Sequence, residues 1–102
     1  MSMSKQVIRK LMSTAVSIGY SVESVFDGEE TLKVIGWETT PREIVDFATA
    51  TDEAVIKFNA GPDKQFYVYL AFDNSPEEMI YDHTDNAAAG SVCIRVADHF
   101  SV

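Results

Sequence analysis

The segment QFYVYLAF, residues 65–72, leaves little choice of local structure. Its aromatic and β-branched residues favour a strand, and a strand sends successive side chains to opposite faces. Phe66, Val68, Leu70 and Phe72 therefore share one face, and Tyr67, Tyr69 and Ala71 share the other. The first set is core material. The second is amphipathic, and whether it meets solvent depends on what else the chain lays over it. The preceding run AVIKF (54–58) alternates in the same way, and Asn59 to Lys64 between them, with Gly61-Pro62 inside, reads as a hairpin loop. Val55 and Lys57 then lie opposite or near the two tyrosines.

Upstream, the apolar spacing changes. Val7, Ile8, Leu11, Met12, Ala15 and Ile18 fall on one helical stripe, with Ser4 placed to cap its start and Gly19 to end it. YSVESVFDGEETLKVIGW then alternates around Asp27-Gly28, a turn signal. A three-residue loop, Phe26-Asp27-Gly28, pairs Val22 with Leu32 and Tyr20 with Val34, keeping apolar pairs on one face. TTPREIVDFATA carries the sharpest helix start: Thr40 as cap, Pro41 at the first helical position, Glu43 three residues after the cap, then Ile44, Phe47 and Ala48 on one stripe. After Asn74-Ser75-Pro76, EMIYDHT returns as a strand, with Met79, Tyr81 and His83 facing one way and Ile80, Asp82 and Thr84 the other. In NAAAGSVCIRVADHF, a helical stripe (Ala89, Cys93, Val96, Ala97, Phe100) competes with the alternation of Val92, Ile94 and Val96; a helix is expected. The order α-β-β-α-β-β-β-α predicts an α+β fold, an antiparallel β-sheet of about five strands with helices mainly on one face.

The 102 residues, 46% of them apolar and 24% charged, suit a single globular domain over 1–102. No apolar run approaches the roughly 18 to 20 residues of a membrane span, and the spaced apolar residues of the first segment do not make a signal peptide. The single cysteine, Cys93, has no internal disulfide partner, so a reducing cytoplasm is expected. Sixteen acids against eight bases give a net charge of −8, which repels phosphate backbones and argues against direct nucleic-acid binding.

The chemistry-bearing residues crowd into IYDHTDN, residues 80–86. Asp82, His83 and Asp85 are competent metal ligands or acid/base groups. On a strand, however, Asp82 and His83 point to opposite faces, and Thr84, Asp85 or Asn86 serves as a helix cap instead. Cys93 with His83 or His99 lacks a third, orienting group and lies on the buried stripe. No phosphate loop, dinucleotide fingerprint, zinc spacing or nucleophile elbow is present, so no catalytic residue, metal or cofactor is expected. The stronger candidates are surfaces for a partner: Tyr67 and Tyr69 on the second sheet face, and the acids Glu23, Asp27, Glu29 and Glu30 around the first hairpin.

The succession of GYSVESVFDGEE, a capped short helix, a hairpin of aliphatic and aromatic strands, and IYDHTDN before a last helix resembles small acidic proteins encoded by tailed bacteriophages and prophages. The likeness spans Gly19 to about Asn86. It implies a bacterial host cytoplasm and a non-enzymatic role in binding and inhibiting a host protein. The alternatives are a DNA mimic that blocks a nuclease or restriction complex, a small metal-dependent or acid/base enzyme at Asp82, His83 and Asp85, and a structural protein that pairs with itself as a homodimer through the tyrosines.

Overall fold

In the computed structural model, which describes residues 2–101, the expected order of elements is present. Helix α1 (Met3–Ser17) leads into β1 (Ser21–Phe26) and β2 (Thr31–Lys33); a 3₁₀ turn (Gly36–Glu38) and α2 (Pro41–Ala48) lead into β3 (Glu53–Gly61) and β4 (Lys64–Ala71). A second 3₁₀ turn (Pro76–Glu78), β5 (Ile80–His83) and α3 (Ala87–Phe100) complete the fold. The five strands form one antiparallel sheet in the order β2-β1-β3-β4-β5. Because β2 and β3 both run antiparallel to β1, the connection between them must cross β1, and α2 lies on that path, packed on β1, β3 and α1.

The helix signals act through their caps. Thr40 Oγ1 accepts from the Glu43 amide at 3.2 Å with Pro41 next to it, as the sequence predicts. The first helix begins two residues earlier than expected: Ser2, not Ser4, caps it by accepting from the Lys5 amide at 3.3 Å. Gly19 takes the left-handed conformation that releases the chain into β1. The last segment is helical, and Asn86 is its cap, accepting from the Ala89 amide at 2.8 Å.

Register departs from expectation in three places. The β1–β2 loop has four residues, Asp27 to Glu30, so Leu32 pairs with Val25 and not with Val22. The cause is Asp27, whose carboxylate accepts from the Glu29 and Glu30 amides at 2.9 and 2.7 Å and closes the longer turn. A bulge between Val22 and Ser24 then shifts the phase of β1, so that Val22 faces Phe58 and Val25 faces Ile56 on the same side. In the second hairpin the strands run further than expected, and the six-residue loop contracts to the turn Pro62-Asp63, with Asp63 at a φ of 61°. In β5 a bulge opposite Tyr69 and Leu70 breaks the alternation: Ile80 joins Leu70, and Asp82 joins Tyr69.

All three helices lie on one face. Beneath them Val7, Ile8 and Leu11 of α1, Val45 and Ala48 of α2, and Ala89, Val92 and Val96 of α3 close over Val25, Ile56, Phe58, Phe66, Val68 and Leu70, all essentially without solvent exposure. Phe58 and Phe66 stack at 5.0 Å between centroids.

Candidate partner-binding surface

Among the described residues, no helix lies over the opposite face of the sheet. Two cross-strand rows define it. One runs Thr31, Phe26, Val55, Tyr69, Asp82 across all five strands; the other runs Lys33, Ser24, Lys57, Tyr67 across four. Val55 and Lys57 are thus the direct partners of Tyr69 and Tyr67. Tyr67 is 41% exposed and Tyr69 half-buried, whereas Phe66, Val68 and Leu70 between and beside them are buried.

The bulged Glu23 is drawn into the second row, its Oε2 lying 2.6 Å from Lys57 Nζ. The same ammonium sits 5.7 Å from the centre of the Tyr67 ring. Glu23, and Tyr67 more weakly, hold the Lys57 ammonium charged above its ordinary range. Glu23, Lys57 and Tyr67 therefore form one group that is neutral in sum. Asp27 stands at the other end of β1, and its carboxyl is held below its ordinary range by the Glu30 and Glu29 amides it accepts from. Glu29 and Glu30 are exposed on the turn beyond. The four acids singled out in the sequence thus do not form one cluster: a bulge occupies one and a turn occupies another.

Two aromatic residues belong to this face that the alternation pattern does not place there. Phe26, 42% exposed, ends β1, and Tyr81, 54% exposed, is turned to the open side by the β5 bulge, its ring 6.3 Å from that of Tyr69. The Tyr81 hydroxyl donates to Glu53 Oε1 across a long 3.4 Å. Burial, then the charges of Glu53 and Asp82, push the Tyr81 hydroxyl above its ordinary range. Phe26, Val55 and Tyr81 line a shallow concavity of about 330 Å³ together with Asp27, Asp52 and Glu53.

A larger concavity, about 620 Å³, opens between α1, β1 and the start of α2, with Met12, Val16, Val22, Val34 and Ile44 in its walls and Trp37 at its margin. Trp37 is 89% exposed. The sequence offered one signal for it, a single tryptophan in the connection between a strand and a strong helix start.

The residues of IYDHTDN separate. Asp82 lies on the open face, where its Oδ1 accepts from the His83 amide at 2.8 Å. His83 pairs with Val68, and its Nδ1 is 2.8 Å from the Thr84 carbonyl oxygen. Asp85 is exposed in the bend before Asn86. Among the described residues no group of three or more His, Cys, Asp or Glu side chains could hold a metal ion. Cys93 is buried, and burial pushes its thiol up to about 12, far from the range of a nucleophilic cysteine.

Charge divides with the layers. The helices carry five cations (Lys5, Arg9, Lys10, Arg42, Arg95) against three acids (Glu43, Asp46, Asp98), a net +2. The strands and connections carry three cations against the other thirteen acids, a net −10. No helix among the described residues is long and apolar enough to cross a membrane. No family model, no curated protein and no solved structure matches the chain.

Proposed function

We propose that the chain is a non-enzymatic protein-binding module that modulates or inhibits a host protein in the bacterial cytoplasm, in the manner of small phage and prophage proteins, and that the open sheet face is its contact surface. One observation carries this reading: Tyr67, Tyr69, Tyr81, Phe26 and Val55 share the sheet face opposite the core, no helix of the described residues lies over that face, and Phe26, Tyr67 and Tyr81 are exposed on it. Exposed aromatics on a rigid sheet are efficient anchors, because they offer large contact area at little cost in side-chain entropy. The test is capture of partners from a bacterial host lysate on the immobilised protein at low and moderate salt, beside Tyr67→Ala and Tyr69→Ala. One dominant protein retained at moderate salt and lost from the variants is expected. Identical captures by all three proteins would exclude the tyrosine face.

The net −10 of the sheet and its connections supports a second reading, a mimic of DNA phosphates against a basic groove. That reading requires binding that collapses with salt and ignores Tyr67→Ala.

A further inference from the structure

We propose that the concavity formed by Phe26, Val55 and Tyr81 on the open sheet face receives an arginine side chain of a basic partner protein. The proposal rests on the protein-binding reading above and names the chemistry of its partner. Three features meet at this spot. Two exposed aromatic rings provide π faces. Three acids, Asp27, Asp52 and Glu53, line the same concavity, and none of the chain's eight cations does. The nearest ring and carboxylate are already matched to each other, since the Tyr81 hydroxyl reaches Glu53 Oε1.

The three acids are not equivalent. Asp27 accepts from the Glu29 and Glu30 amides through Oδ1 alone, so that oxygen is committed to the turn while the carboxylate still adds negative potential. Glu53 meets only the long contact from Tyr81, and a better donor can displace it. The raised ionisation range of Tyr81 comes first from burial and then from the charges of Glu53 and Asp82, which add to the same negative field.

A carboxylate beside an aromatic face suits a guanidinium better than an ammonium. The guanidinium stacks its plane on a ring while its edge donates to a carboxylate, whereas the ammonium is a compact, strongly hydrated charge. A metal ion is a poor fit, because no three ligands converge among the described residues. Phosphate is repelled. The other end of the face, where Lys57 already neutralises Glu23, offers a cation no comparable seat.

The experiment uses the full chain and a fluorescein-labelled Gly/Ser peptide carrying three arginines, with lysine and citrulline versions of the same peptide, followed by anisotropy at fixed salt. Citrulline keeps the shape of arginine and removes the charge. The arginine peptide is expected to bind saturably, the lysine peptide about 3-fold more weakly and the citrulline peptide at least about 10-fold more weakly. Tyr81→Leu and Glu53→Gln should each weaken the arginine peptide by about 3- to 10-fold, with circular dichroism unchanged. Glu77→Gln, an exposed acid outside the concavity, should leave it within about 2-fold.

Absence of saturable binding, equal binding of the citrulline peptide, or equal losses from Glu77→Gln and Glu53→Gln would overturn the proposal. Light scattering addresses a second copy as occupant: an oligomer dispersed by Arg42→Ala, on the cationic helix layer, would place the chain's own arginine there and sink the basic-partner assignment. Lysate capture that depends on Tyr67 alongside a failed arginine peptide would leave the binding-module reading standing and remove this one alone.

Discussion

Phe66 and Tyr67 are neighbours in one strand, share its backbone hydrogen bonding and carry rings of similar size, yet one is 1% exposed and the other 41%. The difference lies wholly in what stands above each face. The helix layer closes over the sheet face that Phe66 shares, while on the face of Tyr67 no helix stands among the described residues and Lys57 reaches across from the next strand. The strand pattern separates the two residues and marks the Phe66 set as core, but it does not say whether anything covers Tyr67. The covered face stores the stability of the fold, and the open face holds the area that remains free for a partner.

The comparison is broken or sharpened most directly by truncating the two neighbours. Phe66→Ala should cost about 3–5 kcal/mol in urea unfolding, because it removes a stacked, fully buried ring. Tyr67→Ala should cost only about 1 kcal/mol, the scale of one lost cross-strand and cation–π contact on an exposed strand face. Similar costs for the two would mean that the face described as open is covered in solution.

Cys93 reports the covered face from the helix side. Buried in α3 and with its thiol pushed up to about 12, it should react with a disulfide reagent at pH 8 on the order of 10³-fold more slowly than a free thiol, and at the ordinary rate in denaturant. A fast native reaction would show that α3 leaves the sheet readily.

The cap of α2 gives a smaller effect. Thr40→Ala removes the acceptor for the Glu43 amide and should cost about 1 kcal/mol. If the helix layer alone is loosened, the arginine-peptide affinity of the open face should not move.

The smallest change concerns Asp27. Its carboxyl titrates lower in the folded chain than in the unfolded one, so its contribution to stability is complete above about pH 4 and fades as the pH falls through the folded value. Asp27→Asn keeps an acceptor for the turn amides but does not titrate. Urea midpoints measured from pH 6 to 2.5 should therefore fall less steeply in the variant. An unchanged acid limb would place the acid sensitivity elsewhere, with Asp46 beside Lys5 the next carboxylate to substitute.

Much of the candidate surface was legible in the sequence. Alternation in QFYVYLAF placed Tyr67 and Tyr69 together and set Val55 and Lys57 beside them, because strand period is a local property. Phe26 and Tyr81 were not legible as part of it. Both depend on bulges, in β1 and β5, and a bulge reverses the phase that an alternation argument extends. The acids near Asp27 formed a run in sequence but separate in space, since Glu23 turns to Lys57 and Asp27 to its own turn.

By itself, the sequence determined the order of elements, the caps at Thr40 and the end of the first helix at Gly19, and the sorting of strand residues into two sets. These follow from short-range causes: a side chain within reach of a backbone amide, a residue without Cβ, a period of two. Only the tertiary structure decided that Leu32 meets Val25, that Tyr81 joins the open face and that Trp37 stands in solvent. Those outcomes depend on which distant surfaces pack most completely, and that competition is settled by the whole core at once rather than by any segment of it.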